Sequence, residues 1–230
     1  MTDTRRTALL AGLLYLLTFV ASIPALPLLA PVLDDPLFVQ SPGPAPGVVA
    51  GGLLDLINAA ACVGTAVVLY PIVRRWGAAG ALGFVTSRVL EAAIIALGVI
   101  SLLAVVSLRL EGAGGGQEVA VARALVAVRD QTFLLGPGLM SAVNALLLGR
   151  LMFRSRLVPR LIPLLGLVGA PLQLASVLAT MFGVNDQLSV ASAIAVVPIF
   201  FWELSLGLWL AIRGFADAPA GAAPVLEPAR

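Results

Sequence analysis

The chain has 230 residues, 60% hydrophobic and 11% charged, with a net charge of +2, a pI near 9.3 and a mean hydropathy of +1.05. A soluble domain carries roughly 25% charged residues, so the deficit excludes a mainly water-facing surface and makes lipid the principal solvent. The chain lacks His and Lys and has a single Cys, which excludes a Ser-His-Asp triad, a HExxH zinc site, a His-ligated haem, a Schiff-base or P-loop lysine and an intrachain disulfide.

Arg5 and Arg6 close a short polar start, and the first span is expected over residues 7–29, its end broken by Pro24, Pro27 and Pro31. An arginine pair before an apolar run also resembles a signal peptide. The run outlasts the usual h-region and no small-x-small site follows, which favours an uncleaved helix. Residues 31–47 hold Pro31, Pro36, Pro42, Pro44 and Pro46 with Asp34 and Asp35, and read as an extended loop. The second span, 48–73, contains Asp55, Asn58 and Cys62 and ends at Arg74, Arg75 and Trp76. The third, 79–108, contains Ser87, Arg88 and Glu91, and a glycine-rich linker follows at 112–116. Residues 118–130 mix Arg123 and Arg129 with Ala and Val, and fit either an interfacial amphipathic helix or an outward extension of the fourth span. That span, 132–153, carries Gly136, Pro137 and Gly138, where a kink is expected. A basic loop with Arg154, Arg156 and Arg160 leads to spans at 161–182 and 188–212, with Asn185 and Asp186 in the turn between them. Beyond Phe215 the chain is Ala/Pro-rich and is expected to be disordered. No internal repeat is evident. The fold class is therefore all-α, an integral membrane bundle of about six transmembrane helices, forming one domain over 1–214 with a cytoplasmic tail over 215–230.

Arginine placement orients the bundle. Arg5, Arg6, Arg74, Arg75, Arg150, Arg154, Arg156, Arg160, Arg213 and Arg230 fall on one side, and Arg109, Arg123 and Arg129 on the other. By the positive-inside rule both termini are expected on the cytoplasmic side. Trp76 and Trp209 fall near the same boundary. The loop with Arg154, Arg156 and Arg160 reads first as an anchor at anionic headgroups and second as a partner-docking site.

Counting about 1.5 Å per residue from the cytoplasmic boundary gives depths of roughly 13 Å for Arg88, 18 Å for Glu91, 15 Å for Glu203, 13 Å for Asn144, 18 Å for Gln173 and 12 Å for Tyr15. Thr18, Cys62 and Thr65 fall in the same band, so all six spans contribute to a polar layer. Asp55 lies nearer the outer face, with Asn58 one turn deeper, marking a path from outside toward Glu91. Arg88 and Glu91, three residues apart, share a helix face, and Ala92, Ala93 and Ala96 beside them suit close helix approach. Each charge at a helix centre costs about 2.5–3.5 kcal/mol, so these groups must face inward and Arg88 must be paired, with Glu91 or Glu203 as partner. With three acids and one base, at least one acid has no cation.

The segments AGLLYLLTFVAS (11–22), DLI (55–57), VVLYPIV (67–73), SRVLEAA (87–93), RLMFRSRLVPRLIPLLGLVGA (150–170) and FWELSLGLWLAIRGF (201–215) carry a further signal. Together they resemble the domain-of-unknown-function 4386 family of bacterial multi-pass membrane proteins. The resemblance covers nearly the whole chain in motif order and implies a multi-span helical protein. It puts Asp55, Arg88, Glu91, Arg154, Pro159, Arg160, Glu203 and Gly214 in the recurrent pattern. It implies no activity.

The candidate intramembrane site is thus Arg88, Glu91, Glu203, Asp55, Asn58, Asn144, Gln173 and Tyr15. One reading is a buried staple that fixes helix register. A sharper one is a proton- or small-solute-coupled site in which Glu91 or Glu203 exchanges a proton and Arg88 binds an anionic group. An intramembrane enzyme is disfavoured: only one aspartate is embedded, and no histidine is present. Cys62 reads as a small packing residue. The expected partners are the lipid bilayer and a small solute or proton. Nucleic acid, a cofactor and a metal are not expected.

Overall fold

A computed structural model describes residues 3–41, 43–112 and 116–216. The middle of the glycine-rich linker and the tail past residue 216 lie outside the described residues. Six helices are long and apolar enough to cross a membrane: α1 (Asp3–Asp34), α2 (Pro46–Val73), α3 (Ala78–Glu111), α4 (Gln117–Ser155), α5 (Leu161–Met181) and α6 (Val190–Ile212). No strand occurs among the described residues. The chain is an all-α multi-pass membrane protein. In hydrocarbon each backbone N–H and C=O must be satisfied within its own segment, and helices do this.

What selects the inward face is residue size more than hydrophobicity. On α1 the buried positions up to residue 25 are Ala8, Ala11, Gly12, Tyr15, Thr18, Ala21 and Ala25, at helical spacing, with Leu29 and Val32 following on the same face, while Leu10, Leu13, Leu17 and Val20 are exposed. Gly12 is required where α1 meets α6: a Cβ there would lie 2.7 Å from the Gly207 carbonyl oxygen and 2.9 Å from the Ala211 Cα. Arg5 ties the same two helices at their ends. Its Nη1 donates to the Leu210 carbonyl (2.9 Å), and its Nη2 donates to those of Ala211 (2.8 Å) and Ile212 (3.0 Å). These are carbonyls that the end of a helix leaves without intrahelical donors.

The helices alternate in direction, so Asp3 and Ile212 lie at one end, the termini end, and the opposite end is the far end. Two apolar cores form. At the termini end all six helices contribute, through Tyr15, Leu69, Phe84, Leu148, Trp202 and Leu206 among others. At the far end the core is built from α1 to α4 and the α1–α2 connection, through Leu29, Phe38, Val48, Leu102, Val105 and Ala122. α5 and α6 take no part in that far core. The first turns of α6 stay open, with Val190 77% and Ile194 66% exposed, and are tied to α5 by Ser192, which accepts from Ser176 (3.1 Å) and Asn185 (2.7 Å).

Two expectations from the sequence need correction, and one that the sequence left open is decided. The prolines do not end α1 near residue 29; the helix runs through Pro24, Pro27 and Pro31 to Asp34. All three prolines lie on the exposed face, opposite Ala21, Ala25 and Leu29, so their rings disturb no packed contact and the buried face holds the helix together. The α1–α2 connection is not extended. It makes a 3-10 turn at Phe38–Gln40, buries Phe38 and Val39, and gives way to α2 at Pro46. Arg109 secures it: Nη1 donates to the Phe38 carbonyl (2.8 Å), Nε donates to that of Gly43 (3.0 Å), and the guanidinium lies 4.3 Å over the Phe38 ring. Of the two readings of residues 118–130, the outward extension of the fourth span is the one found, and α4 begins at Gln117. This extension, residues 117–133, is continuous through a π-helical stretch at Leu134–Met140 that contains Gly136, Pro137 and Gly138. A π-stretch is one way a helix accommodates proline, and such stretches occur often at functional sites.

Candidate functional site

Between the two apolar cores lies a polar middle built around Arg88 on α3. Arg88 is 2% exposed. Its Nη1 donates to Glu91 Oε2 at 3.0 Å, one turn along the same helix, and its Nη2 donates to Glu203 Oε1 at 2.6 Å, across the bundle on α6. The guanidinium also faces the rings of Tyr15 (5.3 Å) and Phe84 (5.8 Å), and its nitrogens approach the Tyr15 hydroxyl (3.4 Å) and Cys62 Sγ (3.5 Å). Glu91 is positioned a second time from α4: Asn144 Nδ2 donates to the same Oε2 at 2.7 Å, and the Ser87 hydroxyl bonds Asn144 Oδ1. Thr18 and Thr65 return their hydroxyls to the Tyr15 and Cys62 carbonyls (both 2.7 Å), which satisfies them locally.

A second pair sits toward the far end. Arg129 Nη2 donates to Asp55 Oδ2 at 2.8 Å, joining α4 to α2, with the guanidinium 5.2 Å over Phe133 one turn later. Arg129 is 6% exposed and Asp55 is likewise 6% exposed. The missing side chain at Gly98 on α3 makes the space: a Cβ there would lie 3.0 Å from Arg129 Cδ. Arg129 is the site residue that the sequence reading missed, having been grouped with the outer-side arginines. The signal was present, because Arg129, Thr132 and Gly136 fall at i, i+3 and i+7 on one helix face, and all three are buried.

Both charged clusters line one cavity of about 190 Å³, together with Asn58 and Cys62 and apolar side chains that include Phe19, Ile23 and Phe133. A second cavity of about 420 Å³ lies at the far end between α1, α4 and the α5–α6 turn, and is bordered by Asp34, Asp130 and Asp186. Leu26, Arg129 and Phe133 line both cavities. Asp55 and Asn58 thus stand between the far end and Glu91, in the order that the α2 spacing indicates. Across the two clusters three carboxyl groups face two guanidiniums, so one carboxyl group has no guanidinium of its own. Two donors are also unmatched: Nε of Arg88 and Nε of Arg129 find no acceptor among the described residues. Leaving such a donor buried and unpaired costs about 1–3 kcal/mol each.

The remaining sequence candidates fall elsewhere. Gln173 on α5 is buried, but it does not line the cavity, and its Oε1 has no partner among the described residues. The contributions to the cavity come from α1, α2, α3, α4 and α6. Arg154, Arg156 and Arg160 lie at the termini end, away from the cluster. Arg156 caps α4 in the left-handed conformation (φ 55), and Arg160 lies 5.0 Å over Phe153. The Ala216 amide donates to the Leu157 carbonyl at 2.8 Å, holding the chain past α6 against this loop. No group of three or more Cys, Asp or Glu side chains is placed to hold a metal among the described residues.

A family model described as Domain of unknown function (DUF4386) matches residues 10–214 of the chain. No curated protein and no solved structure matches it.

Proposed function

We propose that this chain, which belongs to the DUF4386 family, is a proton-coupled transporter of a small solute, with Glu91 and Glu203 exchanging the proton and Arg88 coupling it to the solute. The reading rests chiefly on one observation: a cavity in mid-bundle is lined by Arg88, Glu91 and Glu203 and holds one carboxyl group more than it has guanidiniums. A charge in the middle of a membrane is costly, and ionisable groups there commonly mark proton and solute pathways. An unmatched carboxylate invites a proton. Once either glutamate is protonated, Arg88 faces one carboxylate charge in place of two, and its bond to the neutral carboxyl is weaker and more readily exchanged for another acceptor.

The asymmetry of the two cores supports a direction. The six-helix apolar core closes the termini end, while the far-end cavity adjoins the central one at Arg129. In this reading the conformation is open toward the far end, and α1 and α6 must part around Tyr15 and Leu206 to open the other side. The cluster of arginines at the termini end supports a cytoplasmic location for both termini, with the far end periplasmic, in a bacterial inner membrane. The bundle-staple reading keeps one observation in its favour, since both buried arginines are paired with carboxylates.

Proteoliposomes with an entrapped pH dye separate the two readings. Anionic, cationic and neutral small solutes are added outside in turn. The transport reading expects at least one class to move protons faster than in protein-free vesicles, and Glu91→Gln and Glu203→Gln to abolish the excess. If no class moves protons above the protein-free rate, the cluster is a staple.

A further inference from the structure

We infer that the solute is a small organic monocarboxylate, its charged end received by the Arg129 guanidinium and its apolar body lying against Phe19, Ile23 and Phe133. The inference rests on the transport reading and names its substrate class.

Three observations on the same cavity carry it. Arg88 and Arg129 are both more than nine-tenths buried, both line the cavity, and each keeps one N–H without an acceptor among the described residues. Guanidinium N–H groups match carboxylate oxygens in geometry and charge. Second, much of the lining near Arg129 is aromatic or aliphatic, so the ligand carries an apolar part as well as a charge. Third, the volume of about 190 Å³ equals the liquid share of roughly six waters, which fits a solute of few heavy atoms.

The charges decide how the anion moves. The Arg129–Asp55 pair is itself neutral, with Asp130 as the next charge along α4, and its guanidinium can receive an anion. Arg88 faces Glu91 and Glu203, so that station is negative and repels one until a glutamate takes a proton. Arg88 touches Cys62 and Arg129 touches Asp55, which stand seven residues apart on α2, about 10 Å along the helix. A single carboxylate cannot span that distance, so the anion passes from Arg129 to Arg88. Its arrival at Arg88 and the protonation of a glutamate stabilise each other, and by linkage the coupling is reciprocal. The ionisable groups around the inner station are Arg88 and Glu91 from α3, Glu203 from α6, Tyr15 from α1 and Cys62 from α2, with Asn144 as the polar neighbour from α4. Asp55 from α2 and Arg129 from α4 form the outer station, with Asp130 beside Arg129 on α4, and Asp34 and Asp186 on the far-end cavity that Arg129 also lines.

The test is equilibrium binding of isovalerate to the purified full chain in detergent. Its neutral analogue isovaleramide and the cationic isopentylamine serve as comparators, between pH 8 and pH 6, where isovalerate stays ionised. The expected result is isovalerate binding that tightens as pH falls, with isovaleramide and isopentylamine at least tenfold weaker. The paired variant Asp55→Asn with Arg129→Gln, which removes both charges of the outer station together, should lose at least tenfold in isovalerate affinity while retaining its thermal unfolding midpoint. If that variant does not fold, Phe133→Asp, which puts a negative charge beside Arg129 at the cavity wall, should give the same loss. Equal binding of the amide, tighter binding of the amine, undiminished binding by the variants, or no binding of isovalerate at all would overturn the inference. If the amine or the amide instead drives proton movement in the vesicles, the transport reading stands and this substrate class is wrong.

Discussion

Replacing Arg88 with Gln removes the only cation among the described residues that pairs with Glu91 and Glu203. Glu91, 4% exposed, would keep one donor, Asn144 Nδ2 at 2.7 Å. Glu203, with its side chain 17% exposed, would keep no donor among the described residues. Removing one partner from a buried ion pair costs about 3–5 kcal/mol, because the other charge is left behind. Glu203→Gln is a milder change. Arg88 keeps Glu91, and the new amide oxygen can still accept from Nη2, so the loss is the charge on one hydrogen bond, about 1 kcal/mol. The triple change of Arg88, Glu91 and Glu203 to Gln leaves no charge to strand and should recover most of the deficit. The assay is equilibrium unfolding from dodecylmaltoside into sodium dodecyl sulfate, followed by tryptophan fluorescence, for which Trp202, 1% exposed in the adjoining core, is a reporter. The expected order of stability is wild type, then Glu203→Gln, then the triple variant, then Arg88→Gln. If Arg88→Gln unfolds at the same detergent fraction as Glu203→Gln, the claim that Arg88 holds both carboxylates fails.

Other variants test other joints of the structure. Gly12→Ala places a Cβ 2.7 Å from the Gly207 carbonyl oxygen, so α1 and α6 must separate, with an expected loss of about 1–3 kcal/mol in the same unfolding assay. Arg5→Gln withdraws donors from three carbonyls at the end of α6; faster amide hydrogen exchange confined to the last turn of α6 is expected, and unchanged exchange there would contradict the capping role. Gly98→Leu needs the space that the Arg129 side chain occupies, and should weaken isovalerate binding at least tenfold while leaving the six helices intact by circular dichroism.

The six spans were legible because the bilayer sets helix length and excludes unpaired backbone, leaving little freedom in reading an apolar run. Arg88 and Glu91 were legible as one face by their spacing, and Glu203 by its matching depth. Arg129 was not, because a charged, mixed segment looks like a membrane boundary when the helix is assumed to begin at its first purely apolar residue. The contacts of Arg129 with Gly98 and Asp55, and the burial of Ala122 in the far-end core, show that α4 enters the bundle earlier. The prolines of α1 misled for a related reason. Proline breaks a helix where water can take over the lost hydrogen bonds, and on the outward face of a packed helix in lipid the continuous helix is the better solution. Gln173 was counted into the layer by depth alone, which says nothing about which way α5 turns that side chain.

The central claim, that the charged cluster lies in a cavity reached from the end opposite the termini, can be tested on the native chain through Cys62. It is the sole cysteine, lines the cavity and lies 3.5 Å from Arg88. A membrane-impermeant cationic methanethiosulfonate is applied to sealed vesicles whose orientation is fixed by protease access to a tag at the N-terminus. Modification of Cys62 from the side opposite that tag, at least tenfold faster than from the tag side, is the predicted result. Modification only from the tag side, or from neither side, would contradict it.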